Sequence, residues 1–327
     1  MKEEGYKTLA IIMMAVILAI IIVNPTDSNV IYENTNVTTT TEIGELYAVS
    51  SLSKYDQFPN IKDKYLAFGS DASGNTDVLV YNVETSTTNP IASTVFYEYR
   101  PSAHGNDVVW YYHNAVENKY YIAGFNMDTF QSWTYQTAGF IRGVEVWDGV
   151  VYYLCDVGLI WKYDIVTSVS TDLPNDGGLW VGGNCLEMDI YDDVLLINTN
   201  DNGGKYSVWY YNTQTQGMIK LNTLEHGMYP QVHDGKIVYR DLASVTQDYI
   251  KMYDVNTGVT KIVVDAAAHQ PIGSLNRCAV YGDWVSYAVY YGSAGNWNSG
   301  VFAQNTRTGE NLTIDSMLNA DSYISIY

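Results

Sequence analysis

One short pattern recurs six times along this chain: an aromatic or polar residue, then Asn or Asp, two variable residues and Thr. The copies are YNVET (81–85), FNMDT (125–129), YDIVT (163–167), YNTQT (211–215), YDVNT (253–257) and QNTRT (304–308). Asn, Asp and Gly tolerate the dihedrals of tight turns, so each copy reads as a strand end running into a hairpin. Gly258 and Gly309 directly follow their copies and Gly217 comes one residue late. Upstream of every copy a two-residue turn leads into an apolar strand: DKYLAF from Asp63, GNDVVWYY from Gly105, DGVVYYL from Asp148, DDVLLI from Asp192, DGKIVY from Asp234 and GDWVSYA from Gly282. These starts lie 42, 43, 44, 42 and 48 residues apart. A further strand precedes the turn, as in PNIK (59–62), GVEVW (143–147), EMDIY (187–191), PQVH (230–233) and RCAVY (277–281). A fourth follows the Thr motif, as in GMIKLN (217–222) and GVTKIVV (258–264). Four strands in a repeat of about 45 residues make a propeller blade.

Six such repeats fill the chain beyond residue 51, which predicts an all-β, six-bladed β-propeller. GELYAVSS (44–51) and SYISIY (322–327) are left over, and they read either as a closing clasp or as a partial seventh blade. A β-sandwich is the competing architecture, but independent strands would not keep both motifs in fixed order six times. Composition agrees: 30 Tyr suit a pleated, half-buried surface, and 47% hydrophobic residues can fill a large core. With 36 Asp and Glu against 17 Lys and Arg, the net charge of −19 lacks the basic footprint that phosphate backbones require, and it excludes nucleic acid as partner.

Residues 1–23 carry an unbroken apolar run, Leu9 to Val23. As a helix from Tyr6 it covers about 27 Å, enough for one transmembrane helix across a hydrocarbon core of ~30 Å. A cleaved secretory signal is the alternative, although Asn24, Pro25 and Thr26 offer no small-residue cleavage pattern. Lys2 and Lys7 precede the run and no basic residue follows until Lys54, which predicts a single-pass protein with its C-terminal domain extracellular. Residues 24–53 are Thr-rich and acidic, a stalk or linker that could also hold a closing strand, and 54–327 form the head. Asn36-Val37-Thr38 and Asn311-Leu312-Thr313 are glycosylation sequons.

The head resembles the TolB-like propeller family, carried most clearly by FGSDASGNTDVLVYNVET (68–85) with its strand, Ser-Asp, Gly-Asn hairpin, strand and aromatic-Asx order. NTNDNGGKYSVWYYNTQT (198–215) is next. The resemblance covers residues 54 to 320 and implies the fold; that family holds interaction modules as well as enzymes. The leader MKEEG with Gly5 before the apolar run resembles archaeal type IV pilin-like starts, with Ala10 where bacterial pilins usually carry Glu. That resemblance implies processing after Gly5 and self-assembly through the helix.

Asp71, Ser73, Asn75 and Asp77 place oxygen side chains at alternate positions, a spacing able to wrap Ca²⁺, the one cofactor the sequence suggests; the same residue types also shape a plain hairpin. Some TolB-like lyases gather His around an axial metal, which makes His226, His233 and His269 binding candidates. His233 ends a first strand, and His226 and His269 fall in connections. Trp297 lies in the polar, Gly-rich segment 292–300 and is a candidate contact residue. Cys155 and Cys185 could pair as a disulfide in an oxidising exterior, leaving Cys278 buried on a first strand. No nucleophile-elbow, P-loop or dinucleotide motif occurs. The sequence therefore reads as a membrane-anchored surface module for a protein or glycan partner. A carbohydrate-active lyase or hydrolase and a pilin-like filament subunit are the alternatives.

Overall fold

The computed structural model describes residues 19–22, 45–48 and 56–318, apart from 72–73, 156–158, 174–183, 201–203, 245–246, 270–273 and 294–295. From Asp56 onward the described chain is a succession of antiparallel four-stranded meanders, each pairing in sequence order. Their first strands are Asp56–Lys62, Glu98–His104, Ile141–Trp147, Asn184–Tyr191, His226–His233 and Ser274–Tyr281. Units four and five are also joined edge to edge by one parallel bridge, Tyr206 to His226.

The turn chemistry of the repeat is realised in all six units. The Asx residue that closes the third strand accepts a hydrogen bond from the motif Thr amide: Asn82 from Thr85 (3.2 Å), Asn126 from Thr129 (3.0 Å), Asp164 from Thr167 (2.7 Å). The same bond links Asn212 to Thr215 (2.7 Å), Asp254 to Thr257 (2.9 Å) and Asn305 to Thr308 (3.0 Å). The residue after Thr then takes positive φ: Ser86, Phe130, Ser168, Gln216, Gly258 and Gly309. In the fourth unit, where the glycine comes one residue late, Gln216 rather than Gly217 carries the left-handed conformation, because position after the Asx turn outranks residue preference there. The turn between first and second strands is equally regular, with positive φ at Asp63, Gly105, Asp148, Asp192, Asp234 and Gly282.

Each successive pair of sheets shares its own apolar layer. Val78 and Val80 of the first unit pack with Val108 and Trp110 of the second; Tyr111 and Ile122 with Val144 and Tyr153; Tyr152 and Ile160 with Ile190 and Ile197. Leu196 and Tyr210 meet Ile237 and Tyr239, and Ile250 and Met252 meet Val280 and Tyr287. Tyr serves these layers because its ring fills space while its hydroxyl reaches a polar edge. Buried Tyr239 donates to the Leu221 carbonyl at 3.0 Å, and Tyr153 Oη bonds Ser170 Oγ at 2.8 Å.

Close packing within a sheet is sharpest at Gly124, which faces Trp133 across the third and fourth strands of the second unit. A Cβ on Gly124 would stand 2.3 Å from Trp133 Cε2 and Cζ2. Gly124→Ala is expected to cost about 1–3 kcal/mol by forcing the indole off Tyr163, read as a lowered thermal midpoint.

The N-terminal expectations fall mostly outside the described residues, including Asn36 and all of 1–18. Ala19–Ile22 is an extended strand paired antiparallel with Glu45–Ala48, so the GELYAVSS segment finds its partner there, and 322–327 lie outside the described residues. Among the described residues no helix is long and apolar enough to cross a membrane.

Candidate functional site: the axial channel

The first strands of all six units line one cavity of about 90 Å³. Counted back from the last residue of each first strand, the first-strand residues fall into three levels, and the cavity lining belongs to the outer two.

At the outer level every first strand carries a register shift that inserts one extra residue opposite the second strand: between Gln57 and Asn60, Tyr99 and Ser102, Ile141 and Gly143, Cys185 and Glu187, Met228 and Gln231, and Leu275 and Cys278. In three of them a large side chain at positive φ precedes proline: Phe58 (54°), Arg100 (47°) and Tyr229 (56°). A bulge re-aims a side chain, and strained dihedrals in bulky residues gather where structure serves a site. Here they bring Phe58 and Arg100 into the cavity lining. Arg100 lies over the Phe58 ring at 5.2 Å, Arg277 over Tyr229 at 4.7 Å and Arg142 over Phe140 at 5.1 Å. Arg277 also pairs with Glu187 at 2.8 Å.

The middle level solves an edge problem. A first strand would expose unpaired backbone N–H groups at its free edge, and at three joints the preceding sheet caps one with a side chain. Asn60 accepts from Ala103 N (3.2 Å), Ser102 from Val146 N (3.2 Å) and Asp189 from Val232 N (2.7 Å). Lys62 reaches across the axis to Glu145 (3.1 Å) and Asp189 (3.0 Å), and Ser102 donates to Glu145 at 2.7 Å. Burial alone would lower the Lys62 pKa, but the charges and hydrogen bonds of Asp189 and Glu145 outweigh it and hold the ammonium above its ordinary value. Burial pushes Glu145 up, since one lysine is divided between two carboxylates.

At the inner level the last residues of five first strands form a continuous aromatic wheel. His104 stacks on Trp147 (3.8 Å between centroids), Trp147 meets Tyr191 (4.6 Å), Tyr191 meets His233 (4.6 Å) and His233 meets Tyr281 (4.3 Å). His104 Nδ1 accepts from Asp148 N at 3.0 Å and His233 Nδ1 from Gly282 N at 3.2 Å, which places the proton of each neutral ring on Nε2. Burial lowers both imidazoles, His233 to about 4. None of the wheel residues lines the cavity.

The residues singled out in the sequence do not converge on this channel. His233 belongs to the wheel. His226 opens the first strand of the fifth unit rather than lying in a connection, seven residues from His233 and so about 23 Å away along an extended strand. His269 ends a 3₁₀ turn, and its side chain lies outside the described residues, as do those of Trp297 and Cys185. Trp297 pairs with Gly292 through the backbone, and Cys155 is buried against the second and third units. Cys278 is buried on a first strand, its thiol pushed up by burial and bonded to the Tyr229 carbonyl at 3.4 Å. In the oxygen-rich hairpin, Ser73 lies outside the described residues. Asn75 donates to the Thr94 (2.7 Å) and Phe96 (2.6 Å) carbonyls, and Asp77 turns inward to Ser93. Asn311 is exposed on the last strand. Among the described residues no group of three or more His, Cys, Asp or Glu could hold a metal. Arg100, Arg277, Lys62, Glu145 and Asp189 went unremarked in the sequence. Their signal is a charged residue two or four places before the end of a first strand, or at that strand's end, in an otherwise apolar setting.

No family model matches this chain, and no curated protein matches it. Solved structures do. TolB from Acinetobacter baumannii superposes with a TM-score of 0.53 at 13% identity, over 97% of this chain and 66% of that one. This chain thus spans just under two thirds of TolB. The propeller domain of the Trilobed protease from Pyrococcus furiosus gives 0.56 at 11% identity, covering 80% and 83%. Pyrococcus horikoshii acylaminoacyl peptidase gives 0.55 at 11%, covering 80% and 46%. At such identities the likeness is one of fold, and in fold the head of this chain is a TolB-like β-propeller.

Proposed function

We propose that this protein is a six-bladed propeller held outside a membrane by its N-terminal apolar stretch. In this reading it works as a non-catalytic binding module that receives a carboxylate-bearing segment of a partner protein at the outer end of the axial cavity. One observation carries it: in a chain with 36 acidic and 17 basic residues, two of only five arginines line this cavity, and Arg142 stands beside its Gly143 wall. Guanidinium forks present five donors, so Arg277 can keep Glu187 and still bind a second carboxylate, while Phe58 and Tyr229 supply apolar contact. The uncharged run from Leu9 to Val23 supports the anchor.

An array of acidic, neutral and basic peptides, with uronic-acid oligosaccharides beside them, tests the reading. Acidic peptides are expected to be retained at low salt and released as salt rises. Arg277→Ala should weaken retention about tenfold, the loss of one charge-assisted hydrogen bond. Retention of the oligosaccharides alone would move the assignment to a glycan, and retention unaffected by Arg277→Ala would remove the site.

A further inference from the structure

Six carboxylates are buried among the described residues: Asp77, Glu98, Glu145, Asp189, Asp241 and Asp248. Four have a cation of the chain against them. Lys62 serves Glu145 and Asp189, Lys251 serves Asp241 at 2.6 Å, and Arg240 serves Asp248 at 2.8 Å. Asp77 and Glu98 differ. They are 6% and 0% exposed, and among the described residues neither is ion-paired.

Both sit at the seam between the first and second units, where Glu98 N donates to the Thr76 carbonyl at 3.0 Å. Ser93 Oγ donates to Asp77 Oδ2 at 3.2 Å, and Thr94 Oγ1 donates to Glu98 Oε1. The other two oxygens, Asp77 Oδ1 and Glu98 Oε2, are buried with no hydrogen-bond partner among the described residues. An unsatisfied buried carboxylate oxygen is costly, and two at one seam call for a common partner.

The corresponding seam between the fifth and sixth units supplies an internal comparison. Glu98 and Leu275 each stand six places before the end of their first strands. At the later seam there is one carboxylate, Asp248, accepting from Leu275 N at 2.9 Å and clamped by Arg240 through two bonds of 2.8 Å. Among the described residues the first seam has two carboxylates and no arginine paired with either.

We propose that a metal cation of the hard, oxygen-seeking class, with Ca²⁺ as its type, binds between Asp77 and Glu98 and bridges their two unpartnered oxygens. The side chains bonded to the two carboxylates bring oxygens, the Ser93 and Thr94 hydroxyls. That set suits Ca²⁺ over softer metals. It shares only Asp77 with the oxygen-rich hairpin of the sequence. The ion does at this seam what Arg240 does at the other, joining a third strand to the first strand of the next sheet.

The test uses the full-length chain stripped with chelator and titrated with Ca²⁺, followed by thermal unfolding, and with Tb³⁺, followed by luminescence sensitised through nearby tyrosine. Glu98 pairs across the strands with Tyr112. Ca²⁺ at ten times its dissociation constant is expected to raise the midpoint by about 3 °C. Asp77→Asn and Glu98→Gln should abolish both signals, and Glu98→Gln in chelator should melt above the stripped wild type because it removes a buried charge. A wild type that ignores Ca²⁺ overturns the proposal, above all if acidification from pH 8 to 6 stabilises it instead, since a shared proton then fills the gap. An equal Ca²⁺ response in wild type and both variants overturns it as well.

Discussion

Lys62→Met is expected to destabilise the fold by about 3–5 kcal/mol, lowering the thermal midpoint by on the order of 10 °C. The loss comes less from the ion pairs themselves than from what remains. Glu145 and Asp189 stay buried, with 8% and 2% exposure, and lose the ammonium 3.1 and 3.0 Å away. Ser102 and the Val232 amide still donate to them, but neutral donors do not cancel two charges. The triple variant Lys62→Met, Glu145→Gln, Asp189→Asn should recover most of the loss, because it removes the charges together with their partner. Thermal melts of the three proteins check this. A Lys62→Met midpoint within 2 °C of wild type, a bound set by the size of effect argued above, would show that the lysine contributes nothing across the axis.

Arg240→Met should cost a similar amount, about 3–5 kcal/mol, at the seam between the fifth and sixth sheets. Arg240 and Asp248 are 8% and 1% exposed, and the guanidinium meets both carboxylate oxygens at 2.8 Å while also donating to Ser274 at 2.7 Å. Arg240→Lys should restore less than half, since a point charge reproduces one arm of the fork. Asp248→Asn should cost less than Arg240→Met, because the arginine it frees is long enough to find water. The readout is the denaturant midpoint at constant slope, which separates lost stability from altered cooperativity.

The sequence made the scaffold legible because its signals are local. An Asx side chain capping an amide three residues on, as Asn126 does for Thr129, leaves a pattern that survives wide variation elsewhere. The Asp148-Gly149 and Asp234-Gly235 turns declare themselves for the same reason, with all four residues at positive φ. The channel was illegible because its contacts span one or more whole repeats. Nothing near Lys62 announces Glu145, 83 residues away, and nothing near Asn60 announces the Ala103 amide. His226 was placed in a connection because the register shift between Met228 and Gln231 breaks the alternation by which a strand is recognised.

The three side chains that cap a neighbouring sheet's main chain have a consequence for the order of assembly. Asn60, Ser102 and Asp189 differ in length and charge, and the turns add their own latches, such as Lys236 to Asp283 at 2.6 Å. Sheets of near-identical shape are prone to docking beside the wrong sibling, the failure that troubles tandem arrays. Here a misplaced sheet would meet a cap of the wrong reach or sign, so the joints act as keyed fittings that admit neighbours in only one sequence.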